Sequence, residues 1–170
     1  MKKLTLIFAL VAIAFTSCDD GSKDLNEKHA KLMKESDSIQ QAHAQLKADL
    51  ETLKQDHMTL TQDTARVMQD STMLEGLAQH EILIQKHEGM LVGHEQMIAG
   101  HSELRDNFAN LSNDDKKTQM DEMEKVHEQI MDDHETIRDE MEQMREDHQN
   151  LRDKWRDDES DDETETPANQ

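Results

Sequence analysis

The chain has little of the material from which a conventional globular core is built. Its 170 residues include one cysteine, one proline, one tryptophan, three phenylalanines and no tyrosine. A single cysteine excludes a disulfide within the chain. The formal net charge of −20 excludes the basic face that general affinity for nucleic acid or anionic lipid requires. The composition favours one soluble domain, with cations as small partners.

Long hydrophobic runs are also missing, apart from a short one near the start. Lys2 and Lys3 precede the apolar run Leu4–Phe15, and Thr16-Ser17-Cys18 follows it. The run is too short for a permanent membrane-spanning helix and is typical of a secretory signal. Ordinary cleavage of this signal would leave Cys18 as a free thiol.

The signal and its cysteine resemble a bacterial lipoprotein signal, in which residues 1–17 are removed and Cys18 is lipidated. The resemblance implies anchoring in the bilayer through the acylated cysteine. Asp19 and Asp20 follow it, similar to the acidic export signal of surface lipoproteins in the Bacteroidota. In proteobacteria the same acids would imply retention in the inner membrane. The short signal favours the Bacteroidota pattern, and hence an outer-membrane lipoprotein that reaches the cell surface.

All ten histidines share one heptad position, in three phased groups. They are His29, His43 and His57, then His80, His87, His94 and His101, then His127, His134 and His148. With histidine at position a, position d of the first segment is aliphatic from Leu25 through Leu60 and Val67 to Leu74. An unbroken seven-residue repeat of aliphatic residues is typical of a coiled-coil seam.

The two phase jumps between these groups mark helix boundaries. Thr72 and Glu75 fit a capping box, and Ser112 fits an N-cap followed by acidic residues. The prediction is therefore an all-α fold, an elongated antiparallel three-helix coiled-coil bundle. It covers residues 25–156, with helices at about 25–70, 73–111 and 114–156. Residues 18–24 form the lipidated tether, and residues 157–170 a disordered acidic tail. Heptad seams that join separate chains are the alternative.

The second helix has the widest apolar face of the three. Its d positions are Leu83, Met90, Met97, Leu104 and Leu111, and an adjacent e stripe holds Ile84, Leu91 and Ile98. It also contains four of the five glycines, at positions 76, 89, 93 and 100. Each glycine destabilises a helix interior by about 1 kcal/mol relative to alanine, so these positions indicate either close backbone packing or a soft helix.

Folding the three segments together brings histidines from different helices into shared layers. One choice of register groups His43 with His101 and His127, and His57 with His87 and Met141 in a second layer. Imidazoles converging from three helices are typical of a zinc or copper site, and thioether sulfur also suits copper. A register that sets a against d would instead place the histidines of the second helix opposite Leu or Met.

Three functions remain open on these patterns. A polar residue at position a fixes register, which favours a tethered structural or interaction module that contacts a protein partner or a second copy through its seams. The histidine layers favour metal binding, and stacked imidazoles would also respond to acid.

Enzyme motifs are not found in the sequence. The His-Glu pairs resemble the start of a zinc-protease motif, but the required second histidine is replaced. The positions hold Ile84, Leu91, Ile98, Met131 and Arg138. The sequence predicts that the glutamates after these histidines are solvated residues flanking the core.

Overall fold

A computed structural model of the protein describes residues 21–63 and 71–162. Three helices account for nearly all of these residues: α1 is Gly21–Gln62, α2 is Ser71–Asn107 and α3 is Asn113–Asp162. A short 3-10 turn, Phe108–Asn110, lies between α2 and α3. All three pairs of helices contact one another, and the described residues contain no strand. The prediction of an all-α helical bundle is confirmed. Cys18 and the predicted signal lie outside the described residues.

The helix ends agree with the sequence at some boundaries and differ at others. Ser112 is the predicted N-cap of α3, and its hydroxyl accepts a hydrogen bond from the backbone N–H of Asp115 at 3.2 Å. The first helix ends at Gln62, before the predicted boundary near residue 70. In contrast, α3 continues to Asp162, so the acidic segment predicted to be disordered from residue 157 begins as helix. Extending an existing helix adds one hydrogen bond for each residue fixed, whereas starting a new one is costly.

The core consists of apolar layers that receive one side chain from each helix. Ile39, Ile98 and Ile130 form one such layer. A larger cluster contains Leu46, Leu50, Leu53, Ile84, Leu91, Ile137, Met141 and Met144. These layers alternate with the histidine positions along the bundle, so each histidine lies between aliphatic side chains. Their burial supplies most of the driving force for packing these long helices.

The second helix uses a different core position from the other two. The e stripe Ile84, Leu91 and Ile98 is buried, whereas Leu83 and Met90 are only partly buried at the edge of the core. Of the wide apolar face predicted for α2, the e stripe therefore supplies the buried core residues, and these d residues lie at its edge. In α2, each histidine and the e residue four places later together face the core. Alternation at four and three residues is itself a heptad seam.

The outer surface of α2 has exposed aliphatic side chains, although the chain as a whole is highly charged. Ile82 and Val92 are 67% and 53% exposed. A Cβ atom added at Gly76, Gly89, Gly93 or Gly100 would meet no atom within 4 Å. Close backbone packing within this chain therefore does not explain these glycines.

None of the described helices is long and apolar enough to cross a membrane.

Candidate metal centre

Nine of the ten histidines are buried in the interior of the bundle. The exception, His29, is half-buried and stacks on Phe108 with a ring-centroid distance of 3.7 Å. Histidine is seldom so thoroughly buried, and a buried polar group is costly unless it has a partner. The heptad spacing explains this burial, because it places these histidines on the face of each helix that packs against the other two.

Two groups of three histidines converge, each with one member from each helix. Cluster A is His43, His94 and His134, and cluster B is His57, His80 and His148. In each cluster, one nitrogen from every ring lies within 4.8 Å of the corresponding nitrogens of the other two. The two clusters could each hold a metal ion. They lie two heptads apart, about 21 Å along the bundle at the usual helical rise.

The closest nitrogen pairs match the spacing of metal ligands. His43 Nδ1 lies 3.3 Å from His134 Nε2 in cluster A. In cluster B, His148 Nε2 lies 3.3 Å from both His57 Nδ1 and His80 Nδ1. Zinc–nitrogen bonds of about 2.0–2.1 Å in tetrahedral geometry place two ligand nitrogens about 3.3 Å apart. The clusters are therefore close to the geometry that three imidazole ligands of one ion would adopt.

The observed grouping differs from the predicted one by one heptad across the first turn. The predicted contact between His101 and His127 is present, with ring centroids 4.8 Å apart. However, His43 meets His94 and His134 instead of that pair, and His57 meets His80 instead of His87. The error is a sliding of α1 by one heptad against both α2 and α3. Such a shift keeps the aliphatic d positions of α1 in the core and exchanges only position-a residues, such as Leu50 and His57, between layers, so the aliphatic repeat alone predicts no single register.

The remaining predicted ligands lie elsewhere in the core. His87 pairs with Glu140 through Nε2 at 2.6 Å. Met141 is fully buried in the large aliphatic cluster. The ring of His127 lies beside His101, and its Nδ1 is 3.6 Å from Glu35. These side chains do not complete a third three-histidine group among the described residues.

Carboxylates from neighbouring helices face the outer nitrogens of both clusters. In cluster B, His80 Nε2 donates to Asp147 at 3.2 Å and His148 Nδ1 donates to Asp56 at 3.0 Å. His57 Nε2 lies 3.6 Å from a Glu81 oxygen. Carboxylates that bind the second ring nitrogen fix the tautomer and orientation of metal-binding histidines in known metal sites.

Cluster A has two of these three carboxylates. His94 Nε2 donates to Asp133 at 3.0 Å, and His43 Nε2 lies 3.8 Å from Glu95. The sequence predicts that the glutamates after His80 and His94 are solvated flanks. They are about half exposed, but they also face the histidines of α1. In the sequence, each of these carboxylates is an acidic residue next to a core histidine. Only the register of the helices shows which histidine of a neighbouring helix it faces.

The hydrogen bonds in cluster B leave the inner nitrogens facing one another. A neutral imidazole carries a single N–H. Since His80 and His148 use theirs on Asp147 and Asp56, His80 Nδ1 and His148 Nε2 present lone pairs across 3.3 Å. His57 Nδ1–H can donate to His148 Nε2 at 3.3 Å, whereas the Nδ1 lone pair of His80 has no donor within the cluster and is available to a cation. In cluster A, His94 Nδ1 is buried and has no hydrogen-bond partner among the described residues, so its lone pair is also available to a cation.

The surroundings of His57, His134 and His148 lower the pKa of each imidazole and so favour its neutral form. Burial lowers the pKa of His57 and of His148. Glu81 and Asp56, respectively, act in the opposite direction, and the neighbouring cluster histidines lower both pKa values further. Burial lowers the pKa of His134 to about 4, with smaller effects in the same direction from His94, His43 and Arg138. Neutral imidazole is the form that binds metal ions, so ligands of this kind are available at neutral pH.

Comparisons with protein-family models, curated proteins and solved structures give no match for this chain.

Proposed function

We propose that this protein binds a transition metal ion, zinc or copper, at two three-histidine centres in the core of a membrane-tethered helical bundle. The observation that carries the proposal is the convergence of three buried imidazoles from three helices, twice, at ligand spacing. A polar residue that only fixes register does not need a matching histidine on both neighbouring helices. A single buried asparagine in a seam performs that task in many coiled coils.

The chemistry of the donors selects among metal ions. Imidazole nitrogen suits zinc, copper, nickel and iron, whereas calcium and magnesium prefer oxygen ligands. Three neutral nitrogens in a core lined by aliphatic side chains favour zinc or copper. The acidic chain, with its net charge of −20, raises the local concentration of cations at the surface. Three protein ligands also leave one position of a tetrahedral ion for water or another small ligand.

The proposed location follows from the first twenty residues. Lipidation of Cys18 would hold the bundle at a bacterial outer membrane, where the acidic Asp19 and Asp20 favour surface exposure. A metal-binding domain in that place would meet metal ions outside the cytoplasm. Its role would be binding, storage or delivery of the ion rather than catalysis.

A second candidate function, contact with another copy of this chain, is supported by the outer face of α2. Ile82, Gln85, Gly89 and Val92 follow one another at helical spacing, and none of them is charged. Two copies of a strongly acidic chain can approach along such a face with little like-charge repulsion. Light scattering with size-exclusion chromatography tests this function. A dimer that an Ile82→Glu and Val92→Glu double variant converts to monomer would support it, and a monomeric wild type would exclude it.

The metal proposal is tested by metal analysis of the protein purified without a polyhistidine tag, followed by calorimetric titration with Zn²⁺ and Cu²⁺. We expect two ions per chain. A His43→Leu and His134→Leu double variant should lose one ion, and His57→Leu with His148→Leu should lose the other.

The matched control is a His101→Leu and His127→Leu double variant, which removes two buried histidines that belong to neither cluster. It should retain both ions. Absence of binding at micromolar metal, or equal losses in all three double variants, would contradict the proposal. Circular dichroism of each variant establishes that the helices remain formed.

A further inference from the structure

The two clusters are built on the same plan, so a difference between them stands out. Moving two heptads along α1 and α3 converts His43 and His134 into His57 and His148, while the antiparallel α2 supplies His94 and then His80. In each cluster the carboxylates come from residues that adjoin a ligand on the neighbouring helix. The contacts therefore form a ring: a carboxylate beside the histidine of one helix faces the histidine of the next helix.

Two of the three carboxylate positions of this ring are filled in both clusters. The residue before the α3 histidine is Asp133 in cluster A and Asp147 in cluster B, and each accepts a hydrogen bond from the histidine of α2. The residue after the α2 histidine is Glu95 in cluster A and Glu81 in cluster B, each facing the histidine of α1.

The third position differs between the clusters. The residue before the α1 histidine is Asp56 in cluster B, and this carboxylate accepts the Nδ1–H of His148 at 3.0 Å. The equivalent residue in cluster A is Ala42, whose methyl group cannot accept a hydrogen bond from His134.

Both clusters have an arginine four residues after the histidine of α3. Arg152 follows His148 by four residues and pairs with Asp56. Arg138 follows His134 by the same four residues, at a place where α1 offers Ala42 instead of a carboxylate. Arg138 acts on His134 as a nearby positive charge, and among the described residues no carboxylate pairs with it as Asp56 pairs with Arg152. A positive charge near a ligand opposes the binding of a metal cation.

From this difference we infer that the two centres are unequal: cluster B binds its metal ion more tightly and is filled first, and Asp56 is the residue that makes the difference. This inference rests on the proposed metal-binding function. Asp56 acts as a positioning residue, because it does not reach the inner nitrogens. By accepting the Nδ1–H of His148 it fixes the tautomer whose Nε2 lone pair points toward His57 and His80. Comparable carboxylates change metal affinity by about 10–100-fold.

The experiment is a titration of the metal-free protein with Zn²⁺ against a chromophoric competitor chelator, which resolves two dissociation constants. A His134→Leu variant retains cluster B alone and a His148→Leu variant retains cluster A alone, so each constant can be assigned. We expect cluster B to bind about 10–100-fold more tightly. In the His134→Leu background, Asp56→Ala should remove most of this advantage, and Asp56→Asn, which keeps an acceptor oxygen, should restore part of it.

The chain offers both a matched control and a gain-of-function variant. Glu35 occupies the same heptad position as Asp56 and faces His127, outside both clusters. A Glu35→Ala variant should therefore leave both constants unchanged. Ala42→Asp should supply the missing carboxylate and tighten cluster A about tenfold. Nitrogen-15 NMR of the imidazoles gives a separate readout: in the wild type, His148 should hold its proton at Nδ1, and Asp56→Ala should abolish that preference.

The outcomes separate this inference from the function on which it rests. Two ions bound with equal constants, or Asp56→Ala behaving like Glu35→Ala, would overturn the inequality and leave the metal function standing. Failure of both clusters to bind zinc or copper would remove the metal function and the inference together.

Discussion

Acid should destabilise the metal-free bundle, and the lowered pKa of His101 sets the size of the loss that we expect from that residue. This side chain is buried outside both clusters, against His127. Burial, followed by the charge of His127, lowers its pKa from 6.5 to about 4. Glu35 faces His127, and Glu122 lines the cavity that His101 borders. Neither carboxylate forms a hydrogen bond with His101 that would hold its proton.

The sign follows from comparing the folded and unfolded chains. Because the pKa is depressed in the folded state, the unfolded chain binds the proton more readily below pH 6.5. The contribution of His101 to stability is therefore complete above about pH 7 and is lost as the pH falls toward 4. Each pH unit in this window is worth about 1.4 kcal/mol, so lowering the pH to 5 should remove about 2 kcal/mol from the free energy of unfolding. For a chain of this size, that corresponds to a fall of about 4–8 °C in Tm.

The assay is thermal unfolding followed by circular dichroism at pH 7.5 and pH 5.0, with a chelator present. His134, with its pKa also at about 4, should add a similar loss in the wild type. The informative quantity is thus the difference between variants. His101→Leu should reduce the acid-induced fall in Tm by about 4–8 °C. Met97→Leu changes the lining of the same cavity without removing a titratable group, and should retain the wild-type fall. An identical fall in His101→Leu and wild type would refute the argument.

Three further results are expected from single substitutions. Ile130→Ala, at a side chain with 0% exposure, should lower the free energy of unfolding by about 2–5 kcal/mol in urea denaturation, whereas the exposed Ile82→Ala should change it by less than about 0.5 kcal/mol. Ser112→Ala removes the cap of α3 and should cost about 1 kcal/mol in the same assay, and no loss would show that the hydroxyl is dispensable. Cys18→Ala should move the protein from the membrane fraction to the soluble fraction, and unchanged fractionation would contradict a lipid anchor at this residue.

Several features of the fold and site could be predicted from the sequence because they depend on local periodicity. The recurrence of aliphatic residues every seven positions in α1, and of histidine every fourteen, places both on one face of a helix, whatever packs against it. Ser112 binds a backbone N–H three residues away, so its capping role is equally local. The contact between His101 and His127 was also predictable, because the short connection near residue 110 leaves α2 and α3 little freedom to slide.

Only the tertiary structure decided which histidines meet. Sliding α1 by one heptad against α2 keeps the aliphatic d positions of α1 in the core and exchanges only position-a residues, such as Leu50 and His57, so the aliphatic repeat does not choose between His94 and His101 as the partner of His43. Longer-range contacts mark the observed register, such as the ion pair between Lys54 and Glu88. The role of Asp56 was hidden for the same reason. A carboxylate beside a core position is a solvated acid in one register and the partner of a buried imidazole in another, and local sequence contains no information about that alignment.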